Sequence, residues 1–149
     1  MKKKAIIISI KGFLLSNKEK LLLSKEKPWG LILFKRNIKS LSQIKLLIKK
    51  IRIICKDKNF PILIDEEGLA VSRLRDLITH DISANFFGNF YSSNKRSCIH
   101  LYKEYLHSLC KNLRNIGINI NTIPVLDVLR KDTSSVIGSR SFSNNREIV

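Results

Sequence analysis

Residues 61–65, PILID, form a short apolar run that ends abruptly in a carboxylate, and three comparable runs recur along the chain at residues 4–10, 29–34 and 118–128. A short, nearly continuous apolar run bounded by polar residues reads as a strand buried on both faces, as strands of a parallel sheet are. Parallel neighbours need a crossover between them, and the intervening segments supply it. Ser16 or Asn17 caps a short helix that reaches about Lys25 and carries Leu21, Leu22 and Leu23 inward. Ser40 with Gln43 three residues on is a capping-box pattern, followed by Ile44, Leu47, Ile48, Ile51 and Ile54 at helical spacing. From about residue 95 to 115, Ile99, Tyr102, Leu106, Leu109, Cys110 and Leu113 repeat that spacing, and Gly117 supplies a stop. Residues 76–94 mix Gly, Asn, Ser and aromatics without a sustained period and are expected to form a long loop with short helical turns.

Strand and helix therefore alternate, which makes the chain α/β with about four parallel strands and intervening helices. A barrel and a doubly wound sheet both begin this way. No GxGxxG or GxxxxGK[ST] segment is present, so the nucleotide-binding versions lose weight. One domain covering residues 1–149 is expected, because 149 residues with 44% hydrophobic composition suffice for one ordinary core.

The formal net charge of +16 would by itself point to nucleic acid or an anionic surface. The lysines are scattered, however, and fall mostly on the polar sides of the expected helices, with no aromatic stacking platform beside them, so nucleic acid is not the expected partner. The basic N-terminus precedes an apolar stretch that Lys11 interrupts before it reaches signal-peptide length, and no segment has the roughly 18 apolar residues of a spanning helix. A soluble, intracellular protein is expected. Cys55, Cys98 and Cys110 lack Cys-x-x-Cys spacing and are read as reduced thiols, not a zinc site or a disulfide framework.

Ligands of parallel sheets and barrels bind beyond the carboxyl ends of the strands, so the polar residues that open at Asp65 lie where a binding loop belongs. Asp65 and Asp127 each sit at the end of an expected strand. They read either as a pair of glycosidase carboxylates, at separations of roughly 5 to 9.5 Å, or as loop aspartates accepting backbone N–H bonds. Arg73, and Arg140 within VIGSRSF, offer guanidinium forks suited to sugar hydroxyls or a carboxylate, or else are surface arginines. His100, Glu104 and His107 share a helical spacing that superficially suggests metal ligands, yet they lack His-Glu-x-x-His order and fit the polar edge of a helix. His80 stands in the loop without an evident partner.

GLILFKRN at residues 30–37, IDEEGLAVSR at 64–73, and PVLDV followed by SSVIGSRSF within 124–142 together resemble the amino-terminal half of the bacterial β-N-acetylhexosaminidases of glycoside hydrolase family 3. The motifs occur in order over nearly the whole chain. The resemblance implies the amino-terminal half of a TIM-like (β/α)8 barrel, a cytoplasmic location, and removal of terminal N-acetylglucosamine from peptidoglycan fragments in cell-wall recycling. It further implies that Asp65, Arg73 and Arg140 hold the sugar and that Asp127 supports the loop at its strand end. No cofactor or metal is expected. Family members usually carry Gly-Gly-Arg after the Glu, where this chain has Gly68, Leu69 and Ala70. The family's Lys-His-Phe-Pro-Gly-His-Gly segment with its acid/base histidine, and its aspartate nucleophile, would both lie beyond Val149. The expectation is thus an incomplete active site: a truncated, inactive or split enzyme completed by a second polypeptide. The alternatives are a non-catalytic sugar-binding module and a basic nucleic-acid-binding protein.

Overall fold

The computed structural model describes residues 3–149. Its contacts cluster into two compact units, one comprising the chain up to Asp65 with Asn112–Asn121, the other Glu66–Lys111 with Thr122–Val149.

The first unit holds β1 (Lys4–Ile8), α1 (Asn17–Glu26), β2 (Pro28–Leu33), α2 (Leu41–Cys55), β3 (Ile62–Ile64) and β4 (Ile120–Asn121), in one sheet of order β1-β2-β3-β4. All three pairings are parallel, with Ile8 beside Leu31, Leu33 beside Ile64, and Ile64 beside Asn121. Each strand neighbours its predecessor in sequence, as in a singly wound barrel, whereas a doubly wound sheet reverses direction at a switch point. Leu31, Leu33, Ile62 and Ile64 are fully buried, as strands covered on both faces require. Gly30 permits the β2–β3 approach, since a Cβ there would lie 3.0 Å from Pro61 Cβ and 3.2 Å from the Pro61 carbonyl oxygen.

Side chains finish what the short strands cannot. Asn119 Oδ1 accepts from Ile62 N–H at 2.7 Å, continuing the β3–β4 ladder beyond its backbone pairs. Asn37, in the 3-10 turn after β2, is fully buried. Its Oδ1 accepts from Phe34 N–H at 2.9 Å, and its Nδ2 donates to the carbonyls of Ile10 and Gly12 at 3.0 and 3.1 Å. One amide thereby ties the end of β2 to the loop that follows β1.

Ser16 caps α1 with a complete capping box to Glu19. Of the three leucines expected inward, only Leu23 is buried, because successive helical residues turn about 100° apart and cannot share a face. In α2 the Ser40 hydroxyl accepts from Gln43 N–H at 3.1 Å, but the Gln43 side chain accepts from Lys39 N–H instead of closing the box on Ser40. Ile44, Leu47, Ile48 and Ile51 are buried as expected, while Ile54 is left partly exposed at the helix end.

The second unit contains α3 (Ala84–Ser93) and most of α4 (Lys95–Ile116). A ten-residue helix thus occupies the end of the expected loop. Ser83 caps it by accepting from Phe86 N–H at 3.2 Å. Phe87 packs edge-on against Tyr102 of α4 at 4.7 Å and tilted against Tyr105 at 5.3 Å, and Tyr102 meets Phe142 edge-on at 5.7 Å. On α4 the buried positions are Cys98, Leu109, Leu113 and Ile116, so the inward stripe differs from the expected one and leaves Ile99 and Cys110 exposed. Gly117, at φ +95°, ends the helix as read. The fourth strand is two residues long where eleven were expected, for Pro124 has no N–H to offer a ladder.

Candidate functional site

The loop that leaves β3 opens with Asp65, Glu66 and Glu67, and its tight return is built on Gly68. Glu67 N–H and Gly68 N–H both donate to the Val71 carbonyl, at 2.8 and 3.2 Å. Gly68 adopts φ +129°, and a Cβ there would run into the Ile82 carbonyl, so no other residue fits without displacing backbone. The Leu69–Ala70 pair lies exposed at the tip.

Within the second unit, two consecutive carboxylates do different work. Glu66 is fully buried. Its carboxylate accepts from Ser72 Oγ–H and from His80 Nε2, from Arg73 N–H at 2.9 Å and from Leu74 N–H at 3.0 Å. Burial alone would raise its carboxyl, but the hydrogen bonds from His80, Ser72 and the Arg73 amide outweigh that and hold it below the ordinary glutamate range. Glu67 instead grips Arg140: Nε donates to Oε2 at 2.7 Å and Nη2 to Oε1 at 2.9 Å, a bidentate fork with the carboxylate side chain only 10% exposed. Arg140 itself sits in the short 3-10 turn Gly138–Arg140 and keeps part of its side chain accessible.

His80 has two partners, contrary to the sequence reading. Its Nε2 meets Glu66, and Nδ1 lies 3.1 Å from Tyr105 Oη on α4. Burial first, then Tyr102 and the Glu66 charge, push the Tyr105 phenol up to about 12, so it stays protonated and can donate. Both ring nitrogens are thus occupied within the protein, and the His80 side chain is 8% exposed.

Asp65 belongs to the first unit, directly after β3, and is partly exposed; Arg73 and Arg140 belong to the second, on segments that follow β3 and β4 in sequence. Asp127 does not end a strand, since β4 stops at Asn121, and the paired-carboxylate reading loses its premise. Its backbone carbonyl accepts from the buried Ser141 hydroxyl next to Arg140. His100, Glu104 and His107 are all exposed along α4. A cavity of about 20 Å³ lies beside Glu67, Phe87, Tyr102, Tyr105, Pro124 and Arg140, enough for a water and far too small for a saccharide ring. Two carboxylate roles escaped the sequence, those of Glu66 and Glu67; the one available signal was the run of three consecutive acids, Asp65 to Glu67, at the end of an apolar strand.

Comparison with known proteins places the chain in a family. The profile of the glycosyl hydrolase family 3 N-terminal domain covers residues 3–149. A β-hexosaminidase of Thioalkalivibrio sulfidiphilus is 32% identical over 144 residues, 97% of this chain and 41% of the relative. One from Nitrosomonas eutropha is 31% identical over the same shares. Native NagZ from Neisseria gonorrhoeae superposes with a TM-score of 0.89 at 28% identity, covering 98% of this chain and 43% of that one. The same enzyme in complex with N-trifluoroacetyl-D-glucosamine gives 0.86 at 28% identity, again over 98% and 43%. The chain thus spans about 41% of the length of these curated relatives. Its consecutive parallel strands are those of the amino-terminal half of a TIM-like barrel, and the protein belongs to glycosyl hydrolase family 3, of which it carries the N-terminal domain.

Proposed function

We propose that the chain contributes the sugar-holding part of a β-N-acetylhexosaminidase site, within a single barrel domain, and that the sugar is a terminal N-acetylglucosamine. Asp65 accepts from ring hydroxyls, while Arg73 and Arg140 donate to the sugar's oxygens. The observation that carries this reading is the Glu67–Arg140 fork, which holds a partly accessible guanidinium in one orientation on a segment following β4. Asp65 supports it by its position at the carboxyl end of β3, the end at which barrels of this type bind ligands. The relatives' names, and the N-trifluoroacetyl-D-glucosamine bound in one of them, favour an N-acetylated glucosamine over other hexoses.

Retaining hydrolysis requires one group to attack the anomeric carbon and a second to protonate the leaving oxygen. Neither role is given to any of residues 1–149. Both would come from outside these residues, in a longer chain or a second polypeptide. The setting proposed is the cytoplasm, with peptidoglycan fragments as the source of sugar. Calorimetric titration of the 149-residue chain with N-acetylglucosamine should give saturable binding that Arg140→Ala weakens at least about tenfold, the scale of one lost charge-assisted hydrogen bond. A chromogenic N-acetylglucosaminide should be bound and not cleaved. Unaltered binding in Arg140→Ala, or steady turnover by these residues alone, would overturn the assignment.

A further inference from the structure

We propose that Glu66 and His80 are positioning residues that fix the direction in which the Arg73 guanidinium reaches, through a chain of hydrogen bonds anchored on Tyr105 of α4. The proposal rests on the sugar-binding role given to Arg73 above.

A carboxylate with no exposure is costly unless its lone pairs are met, and here four donors meet them: Ser72, His80 and the successive amides of Arg73 and Leu74. An ordinary loop turn needs no such arrangement, because exposed Asp or Ser serves at little cost. The two amides straddle the Arg73 Cα. Accepting from both Arg73 N–H and Leu74 N–H holds the peptide planes on either side of that atom and so sets its Cα–Cβ direction.

The carboxylate must itself be held, and His80 does this from the far limb of the same loop. Its ring joins Glu66 on one side and Tyr105 on the other, and Tyr105 stands within a 22-residue helix. Gly68 lets the limbs close, for its missing Cβ leaves room for the Ile82 carbonyl, with Tyr105 Oη next nearest at 3.6 Å. The order of support runs from α4 through Tyr105, His80 and Glu66 to the backbone of Arg73. No link in it touches substrate, which separates these residues from Arg73 itself.

Two readouts test the brace on the 149-residue chain. Calorimetry with N-acetylglucosamine measures the consequence, and ¹⁵N–¹H spectra of the Arg73 and Leu74 amides measure the cause. His80→Ala should weaken binding about tenfold, the usual size of losing an outer supporting partner. It should move both amide resonances upfield as their bonds to Glu66 slacken, while a cooperative melt persists. Tyr105→Phe removes one hydroxyl, keeps the ring packing, and should move the same resonances in the same direction by less. Unmoved Arg73 and Leu74 resonances in both variants would overturn the proposal whether or not sugar binds. If Arg73→Ala leaves sugar binding intact, it is the sugar-binding reading that falls, while the amide shifts still decide the brace.

Discussion

Tyr105 is a group whose environment makes a pH-dependent contribution with a definite sign. Its folded value near 12 stands above the roughly 10 of an exposed phenol, so the folded chain keeps a proton that the unfolded chain releases between those values. The stability it supplies is complete below about pH 10 and is lost as pH climbs through 12. Tyrosinate absorbance of the native chain should therefore show a late component near pH 12 that Tyr105→Phe lacks, and urea midpoints should fall more steeply with pH in the wild type than in the variant. A native chain whose tyrosines all ionise by pH 10 would contradict this. At this scale the sequence was informative about residue types and uninformative about partners. Asp65, Arg73 and Arg140 drew attention because they stand in motifs. The Glu66–His80–Tyr105 chain joins residues 14 and 25 positions apart, and no local pattern encodes such pairings.

Where a segment's structure depends on tertiary contact instead of local preference, the sequence was silent, and α3 shows why. ANFFGNFYSS contains Gly, Asn and Ser, all weaker helix formers than Ala, and its aromatics do not announce which face is buried. The helix forms because Phe87 finds Tyr102 and Tyr105, and because Gly88 lets the Phe142 carbonyl come close. By contrast, α2 was readable from its cap and period alone, since local and tertiary preferences agree there. The same contrast yields a test with opposed terms. In a bare helix Gly→Ala gains up to about 1 kcal/mol, whereas a methyl forced against backbone costs about 1–3 kcal/mol. At Gly88 the added Cβ would meet the Phe142 carbonyl oxygen, which has no rotamer by which to leave. Gly88→Ala is expected to destabilise the chain by more than about 1 kcal/mol in urea melts, the clash exceeding the propensity gain. Gly12→Ala, with nothing within 4 Å of its Cβ, should stay within about 0.5 kcal/mol of wild type. Equal midpoints for the two variants would mean that the α3 approach is not tight.

For the whole chain, two opposing features govern its behaviour in solution. The net charge of +16 makes copies repel one another. Against this stands β1, an edge strand whose burial pattern is exposed at Lys4 through Ile7, with Ile6 at 51% and Ile7 at 44% exposure. Adjacent strand residues point to opposite faces, so exposure of both isoleucines leaves this strand uncovered on both faces as well as unpaired along one edge. An apolar edge of that kind is a template for a second copy, and charge is what opposes the pairing. Salt decides between them: the screening length contracts from about 30 Å at 0.01 M to about 8 Å at 0.15 M, which weakens the repulsion while leaving apolar pairing intact. Sedimentation should accordingly find monomer at low salt and a rising weight-average mass as sodium chloride is added. Ile7→Lys places a charge on the edge and should keep the chain monomeric across that range. A wild-type mass independent of salt, or association undiminished by Ile7→Lys, would show that β1 is not the surface through which copies meet.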